Sequence, residues 1–87
     1  MKKDYTIKDI RPGLVFHNIN RLVEFRALII DNMQFKASVI CDNRQNQYFK
    51  PGHIIKFRVE NAVHNFNSGE WIMGSINIKQ KHYEVYC

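Results

Sequence analysis

Apolar residues recur at every second position through most of the chain. From Leu22 to Asp31, the residues Val23, Phe25, Ala27 and Ile29 fall on one side of an extended segment and Glu24 and Arg26 on the other. That is the alternation of a half-buried strand. The same beat runs from Phe35 to Asp42, where Phe35, Ala37, Val39 and Cys41 alternate with Lys36, Ser38 and Ile40. "DNMQ" at 31–34 is turn chemistry, so the two segments are expected to form a hairpin.

Upstream, Pro12-Gly13 precedes a first strand from about Leu14 to Ile19, and Asn20-Arg21 supplies a bend. Downstream, "NRQNQYFKPG" is the one longer polar connection, with room for a turn of helix before Pro51-Gly52 ends it. A long strand is expected from His53 to His64, with Ile55, Phe57, Val59 and Val63 on one face and Ile54, Lys56, Arg58, Glu60 and His64 on the other. "NFNSG" at 65–69 reads as a loop, and "EWIMGSINIK" at 70–79 as the returning partner strand. In that strand Ile72, Ile76 and Ile78 form the more apolar face, taken as the inside, which leaves Trp71, Met73, Asn77 and Lys79 outside. "HYEVY" at 82–86 is a last short strand or tail.

No segment carries a 3.6-residue apolar period across an 11-residue window, so little helix is expected. The predicted fold class is all-β: a small five-stranded barrel of Greek-key type, since closure removes the exposed edges that invite aggregation. At 87 residues the chain is read as one domain, 1–87, with a lead-in at 1–13 and a short strand or tail at 80–87.

Composition narrows the function classes. Hydrophobic residues at 45% and charged residues at 24% give a chain that folds, not a disordered tail. Thirteen Lys and Arg against eight Asp and Glu leave +5, which points to nucleic acid or an acidic surface, with simple solubility as the plain alternative. The longest uninterrupted apolar run is Ala27 to Ile30, far short of the ~18 residues of a spanning helix. No apolar segment follows Met1-Lys2-Lys3, so neither a membrane span nor a secretory leader is expected. The expected compartment is intracellular: nuclear in a eukaryote, cytoplasmic in a prokaryote or virus.

Cys41 and Cys87 cannot build a disulfide framework and read as reduced thiols. With His17, His53, His64 and His82 they form none of the closely spaced ligand pairs that a zinc site needs, so no metal or other cofactor is expected. There is no glycine-rich phosphate loop and no nucleophile motif. The chain is accordingly expected not to be an enzyme.

The more polar face of the strands collects Arg26, Lys36, Ser38, Lys56 and Arg58, joined at 70–79 by Trp71, Met73 and Lys79. Tyr48, Phe49 and Phe66 in the loops add rings. Cations along a groove hold phosphates, and flat side chains hold unstacked bases at ~1–3 kcal/mol each. Each feature alone has a bland reading, a solvated face for the cations and a ring packed under a loop for the tryptophan. Their coincidence on adjacent strands favours a non-catalytic module binding single-stranded nucleic acid, DNA before RNA. The alternative is an interaction subunit whose Trp71–Met73 surface or edge strand docks another protein or a second copy of the chain.

"YTIKDIRPGL" before the first strand, the hairpin at 23–42 and "FKPGHIIKFRVENAVHNFNSGEWIMGSINI" after it resemble the oligonucleotide-binding (OB) fold of simple single-stranded DNA-binding proteins of the SOSS B-subunit type. Those proteins open on a similar "IKD(I/L)(R/K)PG" segment and start their fourth strand with a turn like Pro51-Gly52-His53-Ile54-Ile55. The resemblance implies an OB barrel with a nucleic-acid face on Lys36, Ser38, Lys56, Arg58, Phe66 and Trp71 or Met73. It departs from that pattern where "HNINR" shortens the first loop and where Ile40 and Cys41 stand in place of an aromatic residue.

Overall fold

In the computed structural model, residues 4–31, 33–44 and 49–76 are described. Five strands run in the order β1 Val15–Asn18, β2 Val23–Ile30, β3 Gln34–Asp42, β4 Ile54–Arg58 and β5 Trp71–Met73, with one helix, α1 Val59–Ser68, between the last two. All pairings are antiparallel, and the sheet order is β4-β3-β2-β1-β5. Four consecutive strands meander, and the fifth returns to lie beside the first.

This arrangement overturns the expected barrel and, with it, the OB-fold likeness. The sheet has two edges, β4 and β5, that do not pair with each other among the described residues. The long strand expected over 53–64 breaks at Arg58, and the chain turns there into α1. That helix contacts both edge strands and lies over the face between them, so the core is closed by a helix and not by hydrogen bonding the sheet into a cylinder. A barrel needs strand pairing all the way round.

Helix α1 carries Val59, Ala62, Val63 and Phe66 at i, i+3, i+4 and i+7, one apolar stripe of a 3.6-residue period. Val59, Ala62 and Phe66 are buried along it. The stripe hides in the sequence because Val59 also continues the period-2 run of Ile55 and Phe57, and because Asn61, Asn65 and Asn67 are weak helix formers. The Val59 N–H donates to the Met33 carbonyl at 2.8 Å, which starts the helix against the β2–β3 turn. Gly69 ends it in the left-handed region at φ 87°, the usual helix stop. Tyr5 and Asn67 tie the lead-in to the helix by reciprocal bonds, Tyr5 N–H to Asn67 Oδ1 at 2.7 Å and Asn67 Nδ2 to the Tyr5 carbonyl at 3.0 Å.

Between sheet and helix lies an aromatic core centred on Phe16. Its ring centroid is 5.1 Å from Phe25, 5.5 Å from Phe66 and 4.8 Å from Trp71, with Phe35 and Phe57 completing the shell at 6.3 and 6.4 Å. Trp71 therefore faces inward. The registers Phe16↔Met73 and Asn18↔Trp71 put Trp71 and Met73 on the Phe16 side of the sheet, because paired residues share a face. Ile72, expected inside, is 40% exposed. Gly74, at φ 114°, ends the strand after Met73, so the alternation read through 70–79 has no continuous strand to run on.

Two irregularities in the β2–β3 ladder move further residues across the sheet. Between Ala27 and Ile29 the register shifts, Leu28 is left unpaired, and Ile29 meets Lys36 on the outer face with 64% exposure. Between Glu24 and Phe25 the shift leaves Ile40 unpaired and sets Cys41 opposite Glu24, buried but outside the main hydrophobic cluster. An extra residue on one strand reverses the inside–outside phase beyond it. The hairpin itself, the turn at 31–34 and the core positions Val23, Phe25, Ala27, Phe35, Ala37 and Val39 agree with the sequence reading.

Asp42 ends β3 and organises the following loop. Its carboxylate accepts from the Arg44 backbone N–H at 3.1 Å, from Arg44 Nε and Nη2 at 2.9 and 2.7 Å, and from the Phe49 N–H at 3.1 Å. The Arg44 side chain, followed by these backbone donors, holds the Asp42 carboxyl well below the usual carboxylate range.

Candidate nucleic-acid interface

Three rows of side chains cross the outer face of β2, β3 and β4. Arg26, Ser38 and Ile54 stand in one register row, Ile29, Lys36 and Lys56 in the next, and Gln34 and Arg58 in the third. Adjacent strands lie ~4.8 Å apart and alternate residues ~6.7 Å apart along a strand, so four cations occupy a patch a few strand widths across. Arg26, Lys36, Lys56 and Arg58 are all exposed. Lys36 sits directly opposite Lys56, a like-charge cross-strand pair that works against the sheet. Among the described residues, neither lysine nor Arg26 has an acidic partner within 4.0 Å, and Arg58 has only Glu60, with Nη2 to Oε2 at 3.6 Å between two exposed side chains.

Apolar side chains interrupt the charges. Ile29 at 64%, Met33 at 64% and Ile54 at 47% exposure are large hydrophobic groups left in solvent on or beside this face. At the β2–β3 turn Asp31 Oδ1 accepts from the Met33 N–H at 3.0 Å and the Gln34 N–H at 2.8 Å. The Gln34 donor leads in lowering the Asp31 pKa, and Lys56 adds to the effect from a distance.

The ten residues expected to form the nucleic-acid face divide three ways. Arg26, Lys36, Ser38, Lys56 and Arg58 are brought together on neighbouring strands. Phe66, Trp71 and Met73 belong to the other side of the sheet: Phe66 is 4% exposed on α1, and Trp71 and Met73 pack against the core. Tyr48 and Lys79 lie outside the described residues. The five strand residues thus share one face of the sheet, and Phe66, Trp71 and Met73 lie on the other.

A row that the sequence reading missed crosses the same outer face one step further on. His17 pairs with Glu24 and Glu24 with Cys41, and all three are buried. Cys41 Sγ donates to Glu24 Oε1 at 3.7 Å, and His17 Nδ1 lies 2.8 Å from the Gly74 carbonyl, which can only accept, so Nδ1 carries the proton. The signal was hidden because only the bulge at Ile40 puts Cys41 beside Glu24. Among the described residues no group of three His, Cys, Asp or Glu side chains could hold a metal ion, and no helix is long and apolar enough to cross a membrane.

In comparisons with protein-family models, curated proteins and solved structures, the chain has no significant match.

Proposed function

We propose that the protein is a binding module that holds nucleic acid through its phosphates, using the outer face of β2, β3 and β4. The observation that carries this reading is the facing pair Lys36 and Lys56, neither of them within 4.0 Å of a carboxylate among the described residues, flanked by Arg26 and Arg58. A purely structural sheet gains by placing an acid opposite a lysine. Two lysines in register are stabilised when an external anion lies between them, and a phosphodiester chain supplies such anions in series. The net charge of +5 acts in the same direction at long range.

Recognition on this basis reads charge and spacing, not sequence, because phosphate contacts position a strand without identifying its bases. In the competing reading, protein docking, Trp71 and Met73 turn toward the core and leave the edge strands β4 and β5 as the docking element.

Fluorescence anisotropy of a labelled oligonucleotide, titrated with protein at several salt concentrations, tests the proposal. Four contacted phosphates on a single strand predict a log–log slope of about −3. Replacing Lys36 and Lys56 together by Gln removes two contacts and should flatten that slope by about 1.4. No binding at low salt, or binding indifferent to both the salt and the double substitution, would defeat the reading.

A further inference from the structure

Three adjoining cavities wrap the end of the β2–β3 hairpin. One of about 110 Å³ lies between Lys36, Lys56 and Ile29, and shares Asp31 and Gln34 with an open cavity of about 490 Å³ walled also by Met33 and Arg58. The third, about 180 Å³, shares Met33 and Arg58 with the second and reaches Ile7 and Val59. Three of the most exposed hydrophobic side chains of the described residues, Ile29, Met33 and Ile7, line this run of cavities, at 64%, 64% and 62% exposure. Large apolar groups held open beside cations suit a ligand that is itself part anion and part flat apolar surface.

We infer that this groove seats an unpaired nucleotide, its phosphate at Lys36 and Lys56 and its base in the larger cavity between Met33 and Arg58. The inference rests on the phosphate-binding reading above and adds to it a contact with the base. A volume of about 490 Å³ falls in the range of small-ligand pockets, roughly 300–1,000 Å³. Bases out of a duplex stack on guanidinium planes and on apolar side chains as well as on aromatic rings, and Arg58 and Met33 offer one of each. Gln34 lines the same cavity, and a side-chain amide carries both donors and an acceptor for a base edge.

The test compares a short oligo-dT with an abasic strand of the same length and charge, in anisotropy competition at fixed salt. With a base seat, the wild-type protein binds the oligo-dT about tenfold more tightly than the abasic strand, the low to middle part of the range for base stacking. In Met33→Ser that ratio falls toward one. Met33 is exposed in a turn, and an unchanged thermal midpoint verifies that the variant is folded. Equal wild-type affinity for the two strands overturns the base seat and leaves the phosphate reading standing. A tenfold preference that Met33→Ser does not reduce overturns the assignment to this cavity. Failure of both strands to bind at low salt removes the phosphate reading, and the seat with it.

Discussion

Lys36 and Ala37 are adjacent in the chain and could hardly be in more different places. Ala37 is sealed against Phe35, Val39 and the aromatic rings of the core, whereas Lys36 stands in water opposite a second lysine. The two faces of one sheet obey different rules. On the inner face every position is chosen by volume and ring geometry, so a change is felt as lost stability. On the outer face charges are placed where the fold would prefer them absent, so a change should be felt in binding and hardly in folding.

The largest expected effect lies inside. Phe16→Ala removes the ring that touches five others and should cost about 3–5 kcal/mol, a large share of the ~5–15 kcal/mol that holds a domain together. Urea denaturation would measure it, and a loss under 1 kcal/mol would mean that the ring cluster is not the core. Next comes the loop clamp. Asp42→Asn weakens charge-assisted bonds to Arg44 and to the Phe49 N–H and should cost about 1–3 kcal/mol. Because the folded-state pKa of Asp42 is depressed, its contribution is present above the unfolded value of 3.8 and is lost as the pH falls below that. Denaturation midpoints of the wild type should therefore drop below about pH 4 more steeply than those of Asp42→Asn.

Gly69→Ala forces a side chain into the left-handed region at the end of α1 and should cost about 1–2 kcal/mol. The smallest effect carries the opposite sign. Lys36→Gln removes a like-charge pair and should raise stability by about 0.2–1 kcal/mol while weakening oligonucleotide binding. Stability and binding moving together in this variant would erase the distinction between the faces. Trp71 emission offers a direct check on the same boundary: it should shift on unfolding and stay constant as oligonucleotide is added, since the ring lies 4.8 Å from Phe16 on the far side of the sheet.

Much of this division was legible from alternation alone. The hairpin of β2 and β3, the turn built by Asp31, and the separation of Phe35, Ala37 and Val39 from Lys36 and Ser38 follow from a period of two and need no knowledge of the rest of the chain. The basic cluster was legible too, because Lys56 and Arg58 alternate with Ile55 and Phe57 on a strand whose apolar side is unmistakable. The rings were assigned wrongly for a specific reason. Trp71 was judged by the company of Ile72, Ile76 and Ile78, on the assumption of one long strand, and Gly74 ends that strand after three residues.

The sequence by itself thus determined which local segments pair and which of their side chains are apolar, since both depend on neighbours within a few residues. Only the tertiary structure decided whether the sheet closes, which way β5 presents its faces, and where a bulge reverses the phase. Those choices depend on contacts between residues far apart in the chain: Phe16 with Trp71, the Met33 carbonyl with the Val59 N–H, and Lys36 with Lys56. A period of two fits a closed barrel and an open sheet under a helix equally well. The helix stripe of Val59, Ala62 and Phe66, packed across both sheet edges, settles which one forms.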